Sequence, residues 1–438
     1  MTSALPTSAL PSATCPTVLP GEDHATSPAD GSEPGNIYTI PAEKVVTSKG
    51  ATTQTDAPAP STAPNTHEEG QWSFNTTRDE RAYGLTAEQC DAAFPGLFTE
   101  IDRAIEYRNK IGKITPDDVD ISWKEHGAVR AAIIDQQLYV LETKFSGSGV
   151  GSLRGLSLLH AIHRAIITSP SPIPNVEFSF STTDIADPKN RRHSIWALTR
   201  TEEQEEKWLM SDFGYWSWPN DVVGAYEQIR REIAINEMDF ADKKKQVVWR
   251  GALNTNSIRK NLLSVTANKD WADVEAMQWI DTNSTAGNGV TSNSIPIPGH
   301  CQYQFVIQTE GNSYSGRGKY LQNCNSVVIM HKRTWLEPHH PLLIPSGPSQ
   351  NIVEVETDFS DLEEKISFLL QNPKQAQRIA KNGIDAFRDR YLTPAAQACY
   401  WRRMLGSWAD VSFVPEEWEI DEMTGTRTIR GMPFESFV

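Results

Sequence analysis

Between Tyr303 and Met330 the chain alternates in a way that leaves few folds open. The apolar runs "QYQFVIQ" and "SVVIM" enclose "TEGNSYSGRGKYLQNCN", a loop rich in glycine and hydroxyl groups that carries Arg317 and Lys319. Strand, tight turn, short helix and second strand form the repeating unit of a parallel α/β sheet. The N-terminus of the helix presents free backbone N–H groups, and cationic side chains in its first turn make the arrangement suited to a phosphate.

The alternation extends in both directions. A short apolar strand ends at Arg250-Gly251 in "KKKQVVWRGALNTNSIRKNLL", and a helix opens near Asn256 or Ser257. Strand-like "WADVEAMQW" follows, and after the central motif come the helical segments "DFSDLEEKISFLLQN", "PKQAQRIAKNGIDAFRDRYL" and "PAAQACYWRRMLGSW". An earlier series begins where Ala92, Ala93, Leu97, Ile101 and Ile105 recur at helical spacing behind Thr86 and Glu88. "AVRAAIIDQQLYVLE" reads as a strand pair turning at Asp135-Gln136; the loop "SGSGVGS", the helix "LRGLSLLHAIHRAII" and the strand "NVEFSFSTTD" complete a Rossmann-like βαβ unit. Two such series without an internal repeat predict an α/β protein of two Rossmann-like domains facing each other across a cleft. The boundaries are a disordered Pro/Ser/Thr/Ala-rich leader over 1–70, an N-terminal domain over 71–225, a C-terminal domain over 226–410 whose final helix packs back, and a tail over 411–438.

A formal net charge of −15 over 438 residues excludes a general nucleic-acid binder, so any phosphate site must be local. No run of 18 apolar residues occurs, and the first thirty residues lack the order of a secretory signal. Five cysteines, Cys15, Cys90, Cys301, Cys324 and Cys399, include no CxxC, which gives a zinc site no support. The residues alone leave open two disulfides with one odd thiol or five reduced thiols. Sequons at Asn75 and Asn283 lean weakly towards a secretory route.

Arg250 at one strand end, Arg259 in the next helix, and Arg317 with Lys319 in the following unit converge on the carboxyl edge of one sheet, where open α/β folds bind ligands. As a set they suit a diphosphate. Gly251, Gly311 and Gly316 let backbone approach the ligand, and Glu310, Tyr314 and Ser315 belong to the same loop. The loop of Gly147, Gly149 and Gly151 lacks the acidic residue of a dinucleotide site, so it reads as a plain turn. Asp118 and Asp120 have the spacing of a metal-chelating DxD but follow Thr115-Pro116, which favours a helix start or a solvated turn. Trp216, Trp218 and Pro219 sit near the expected hinge as candidate sugar platforms, with core packing the commoner fate of such residues.

"VVWRGALNTNSIRKNLL", "CQYQFVIQTEGNSYSGRGKYLQNCNSVVIM", "DFSDLEEKISFLLQNP" and "CYWRRML" together resemble glycosyltransferase family 90, the group of capsule-associated-protein and Rumi-like protein O-glucosyltransferases. The likeness runs from about residue 80 to about 410. It implies a GT-B fold and inverting transfer of a sugar, glucose or xylose, from a UDP-sugar donor to a hydroxyl on a protein or glycan, with no metal and no other cofactor. Asp184 matches the family's catalytic base best, and Asp187 is the close alternative. The resemblance also implies disulfides Cys301–Cys324 and Cys90–Cys399, and residence in the Golgi or endoplasmic reticulum lumen, although no membrane span is read in the chain. A catalytically silent, glycan- or nucleotide-sugar-binding member of the family is the competing expectation.

Overall fold

The structure, a computed structural model, describes residues 72–145, 150–187, 190, 192–218, 223–277 and 293–438. The leader with Cys15, Gly147 and Gly149, Pro219 and the Asn283 sequon lie outside the described residues.

After a single helical turn at Thr76–Asp79 come α1 (Ala87–Ala93) and α2 (Thr99–Ile111). Thr86 opens α1 through a capping box: its hydroxyl accepts from the Gln89 amide while the Gln89 side chain accepts from the Thr86 amide. β1 (Ala128–Ile134) and β2 (Gln137–Lys144) form the expected hairpin, with Asp135 and Gln136 both at positive φ, as a two-residue turn of the twisted type requires. α3 (Val150–Ile167), β3 (Val176–Ser181) and the short β4 (Ile195–Trp196) follow. β1 lies antiparallel to both β2 and β3, and β3 runs parallel to β4. The sheet is therefore mixed, which corrects the expectation of a Rossmann-like first half. The tight hairpin places β2 beside β1 in the opposite sense, and the α3 crossover must then set β3 on the far side of β1.

The second half conforms more closely. α4 (Tyr226–Ile235) leads into β5 (Lys244–Gly251), α5 (Ser257–Thr266), β6 (Ala272–Ala276) and β7 (Tyr303–Gln308). After α6 (Gly318–Leu321) come β8 (Val327–His331) and β9 (Val353–Val355). The sheet order is β9-β8-β7-β5-β6, and every pairing is parallel. α5 starts where expected, with the Asn256 carboxamide oxygen accepting from the Ile258 amide. α6 is a single turn, so it carries little dipole, and the expected helix-terminus contribution to a phosphate site is correspondingly small.

α7 (Leu362–Gln371) and α8 (Pro373–Ala386) pack against the second half, but α9 (Pro394–Val411) returns to the first. Its apolar residues Tyr400, Trp401, Met404, Leu405 and Trp408 recur at helical spacing and are buried in the core formed by β1, β3 and α2. Trp408 meets Trp196 and Trp208 edge-on, and its indole N–H donates to the Glu177 carbonyl at 2.9 Å. Burial on this scale is worth roughly 1.5–3 kcal/mol for each large aliphatic side chain, so α9 is an integral layer of the first half. A disulfide between Cys90 in α1 and Cys399 in α9 fixes the attachment. The tail beyond it pairs Met432 and Pro433 with the edge of β2 and buries Phe434 against His160 and His163.

A second tie joins the halves. Asp212 Oδ1 accepts from Lys319 Nζ at 2.6 Å and from the Gly214 amide at 2.6 Å, while Oδ2 accepts from the Tyr314 hydroxyl. Asp212 and Lys319 are both buried. These three bonds clamp the loop after β7 onto the segment 212–218. Among the described residues no helix is long and apolar enough to cross a membrane.

Removing one member of a buried, hydrogen-bonded ion pair leaves an uncompensated charge and costs about 3–5 kcal/mol. Asp212→Asn is expected to lower the urea-unfolding midpoint by a corresponding amount, and an unchanged midpoint would contradict the clamp. The second expected disulfide, Cys301–Cys324, is also present and encloses β7 and its loop. Replacing both cysteines by serine should destabilise the chain by about 3 kcal/mol through the freed unfolded loop. Peptide mapping without reduction should recover the two cysteines as one linked fragment; recovery as free thiols would contradict the pairing.

Candidate active site

The order β9-β8-β7-β5-β6 reverses direction of build between β5 and β7, and at such a switch point the loops leaving adjacent strands part to opposite sides. The residues singled out in the sequence stand at this edge: Arg250 and Gly251 end β5, and the loop 309–317 leaves β7. That loop is wired internally. Gln308 Nε2 donates to the Ser315 carbonyl at 2.6 Å, the Glu310 amide to His331 Nε2 at 3.1 Å, and the Gly311 amide to the Ser313 carbonyl at 2.8 Å.

The four cations differ sharply in their partners. Arg250 is saturated: it bonds the Asp273 carboxylate and the carbonyls of Trp249, Asp273 and Asn293. Lys319 is held by Asp212 and donates to the Gly316 carbonyl at 2.6 Å. Both are thus engaged within the protein, in contrast to the other two. Arg259 and Arg317 have no carboxylate partner among the described residues. Arg259 donates to the carbonyls of Glu310 and Ala252, and Arg317 to the carbonyl of Arg250. Both guanidinium groups lie against the indole of Trp249, 5.8 and 5.7 Å from its centroid, and Nε of Arg317 is buried without an acceptor. Burial pushes Arg259 down to about 10; burial, with the charge of Arg259 added, pushes Arg317 down to about 9. Two desolvated cations side by side form a site that an anion stabilises.

A cavity of about 400 Å³ opens onto them. Trp218, Val223, Met277, Ile295 and Ile297 supply an apolar wall; Arg250, Thr255, Arg259, Ser315 and Arg317 supply the polar one. This combination accepts a ligand with one planar or apolar part and one anionic part. Gly251 and Gly316 serve this wall differently than expected. A Cβ at Gly251 would fall 2.5 Å from the Trp249 ring, and one at Gly316 2.8 Å from Trp218, so these glycines make room for the aromatic walls. A Cβ at Gly311 would lie 3.3 Å from Arg259 Nη2. His300, missed in the sequence, also lines the cavity. Its Nδ1 faces the Pro296 carbonyl, an acceptor only, so the proton sits on Nδ1 and the buried Nε2 has a bare lone pair. Burial and the neighbouring Arg317 charge push it down to about 4, which keeps it neutral.

Asp184 lies past β3, partly exposed, and meets the loop of the second half directly: Ser313 Oγ donates to its backbone carbonyl at 2.6 Å. Arg154, also missed, donates to Asp184 Oδ1 at 2.9 Å. Asp187 is exposed. Asp118 is buried and bound to Arg108, the Thr115 amide and the Thr115 hydroxyl, while Asp120 accepts from the Ser122 amide and hydroxyl. These two carboxylates shape the turn after Thr115, as the sequence favoured. Trp218 lines the cavity, but Trp216 is sandwiched between His160 and Arg164 in the first core.

Glu310 and Tyr314 are also turned away from the cations. Glu310 Oε1 caps the amides of Thr334 and Trp335, and Tyr314 bonds Asp212. Beneath them lies a buried group with no counterpart in the sequence reading, Glu337, His339 and His340, whose ligand-type atoms fall within 4.8 Å of one another. It is the grouping among the described residues that could hold a cation. Both ring nitrogens of His340 are already engaged by Glu337, one by its amide and one by its carboxylate. Burial pushes Glu337 up to about 7 and the two histidines down to about 3, so the group favours neutral forms.

The chain is similar in sequence to several known proteins. Human protein O-glucosyltransferase 1 is 24% identical over 226 residues, covering 49% of this chain and 56% of the relative. The Aedes aegypti O-glucosyltransferase rumi homolog is 27% identical over 189 residues, covering 42% and 46%. The O-glucosyltransferase LpsA of Dichelobacter nodosus is 27% identical over 150 residues, covering 34% and 44%. The chain thus spans about half the length of the curated relatives it matches. The model of glycosyl transferase family 90 matches residues 87–421, and with more than half of its length so matched the chain belongs to that family.

Proposed function

We propose that this chain is an inverting glycosyltransferase that moves glucose or xylose from a UDP-sugar to a hydroxyl on a protein or glycan acceptor. The observation that carries the reading is the pair Arg259 and Arg317, desolvated and, among the described residues, without carboxylate partners at an amphipathic cavity. A nucleoside diphosphate fits such a site: its base suits the wall of Trp218, Val223 and Ile295, and its diphosphate suits the two guanidinium groups. The donor assignment thus rests on Arg259, Arg317, Thr255 and Ser315. Arg250, Lys319, Glu310 and Tyr314 are assigned to holding the loops in place.

In this reading the acceptor hydroxyl attacks the anomeric carbon while Asp184 takes its proton. The bond from that carbon to the diphosphate oxygen breaks with its electron pair, and Arg259 and Arg317 stabilise the charge that develops on UDP. The approach of Ser313 to Asp184 supports placing base and donor loop on one reaction centre. Two sheets joined through this loop support a GT-B arrangement, with the first half (71–225) presenting the acceptor and the second (226–410) the donor. Two disulfides and the kinship with O-glucosyltransferases support a luminal compartment of the secretory pathway.

A second reading, a catalytically silent member that binds glycans or nucleotide sugars, is favoured by one observation: Asp184 Oδ1 is already engaged by Arg154. The two readings separate in a donor screen, with UDP released from UDP-glucose and UDP-xylose as the measurement. Arg317→Ala is expected to weaken UDP binding and slow turnover by on the order of a hundredfold, as loss of a charged stabiliser does. Calorimetry that finds UDP affinity unchanged in both Arg317→Ala and Arg259→Ala would refute the donor site. Because cationic side chains neutralise the diphosphate, activity should persist in EDTA. Loss on chelation and recovery with manganese would instead direct attention to Glu337, His339 and His340, since Asp118 is locked by Arg108.

A further inference from the structure

Arg154 occupies the second turn of α3 and is fixed by groups other than Asp184. Its guanidinium lies 4.7 Å from the centroid of the Phe213 ring, and Nη1 donates to the Thr182 carbonyl at 3.1 Å. From this seat the same Nη1 reaches Asp184 Oδ1 at 2.9 Å. On the opposite side Ser313 Oγ fixes the Asp184 carbonyl at 2.6 Å. Backbone and carboxylate of Asp184 are therefore held independently, one from the loop after β7 and one from α3. Among the described residues Oδ2 has no hydrogen-bond donor, so the carboxylate presents one bound and one open oxygen.

The energetic weight of the Arg154 contact does not lie in stability. The carboxylate is 41% exposed and the guanidinium 19%, and an ion pair so open to water adds little to the folded state. Its effect is geometric. A carboxylate free to rotate presents either oxygen in many directions, whereas a base acts only from within hydrogen-bond reach of the proton it removes. A base oriented by a third group is a recurring arrangement in transfer enzymes.

We propose that Arg154 is a positioning residue that immobilises Asp184 through Oδ1 and leaves Oδ2 to take the proton of the acceptor hydroxyl, an inference that rests on the assignment of Asp184 as base. The proton passes from the acceptor oxygen to Oδ2 as that oxygen bonds to the anomeric carbon and the diphosphate oxygen departs with the bonding pair.

The test uses the full chain, with UDP release from UDP-glucose or UDP-xylose as the rate, UDP calorimetry as the binding measure and melting temperature as the fold control. Arg154→Ala, with Arg154→Gln as the bulkier alternative, is expected to lower kcat by roughly tenfold to a hundredfold while donor KM, UDP affinity and Tm stay at wild-type values. Arg154→Lys should recover part of the rate. In the Asp184→Asn background, removal of Arg154 should cost nothing further, because a residue that acts only through Asp184 has no separate effect. A wild-type kcat in Arg154→Ala overturns the inference, as does an equal loss with and without Asp184. Asp184→Asn turning over at the wild-type rate overturns the base assignment itself; an inactive Asp184→Asn with an independent Arg154 effect overturns the positioning role alone.

Discussion

The buried ion pair between Asp212 and Lys319 is the interaction on which the site depends. It brings a segment of the first half against the loop after β7, and the surrounding contacts follow from it. Tyr314 reaches the same carboxylate, Lys319 is then free to bond the Gly316 carbonyl, and Gly316 lies against Trp218. With the loop in that position Ser313 meets the Asp184 carbonyl and Arg317 turns to the end of β5. Desolvating both charges is unfavourable taken alone, and the arrangement holds because the carboxylate also accepts from the Gly214 amide and the Tyr314 hydroxyl.

The same logic explains the contrast among the cations. Where a carboxylate stands beside a cation, as Asp273 does for Arg250, the site is closed and structural. Where none does among the described residues, as for Arg259 and Arg317, charge is left unbalanced in a poorly solvated place. The stacking of both guanidinium groups against Trp249 supplies part of the missing solvation. An anion in the cavity would supply the rest.

Much of this was legible in the sequence. The hairpin at Asp135-Gln136, the strand ending at Gly251, the helix opening at Asn256 and the strand–loop–helix–strand around Arg317 all declare themselves through local patterns of apolar residues and turn chemistry. What was not legible is pairing at a distance. Arg250 and Lys319 read as phosphate ligands because nothing in their neighbourhood reveals Asp273 or Asp212, and the mixed order of the first sheet depends on which side of β1 the α3 crossover lands. His300 and Arg154 belong to no spacing rule; their roles arise from Pro296, Arg317, Phe213 and Asp184, brought together only by the fold.

The return of α9 to the first half has a consequence in time. On a ribosome the β1–β3 core waits for Trp401 and Trp408, roughly two hundred residues after β4, and Cys90 waits for Cys399 over a still longer interval. At about 5–20 residues per second that delay is on the order of 10–40 s, during which an apolar sheet face and an unpaired thiol are exposed to whatever surrounds the nascent chain. The early-made half of this protein is thus a late-folding half, and a compartment supplied with chaperones and disulfide exchange suits its biosynthesis as well as its chemistry.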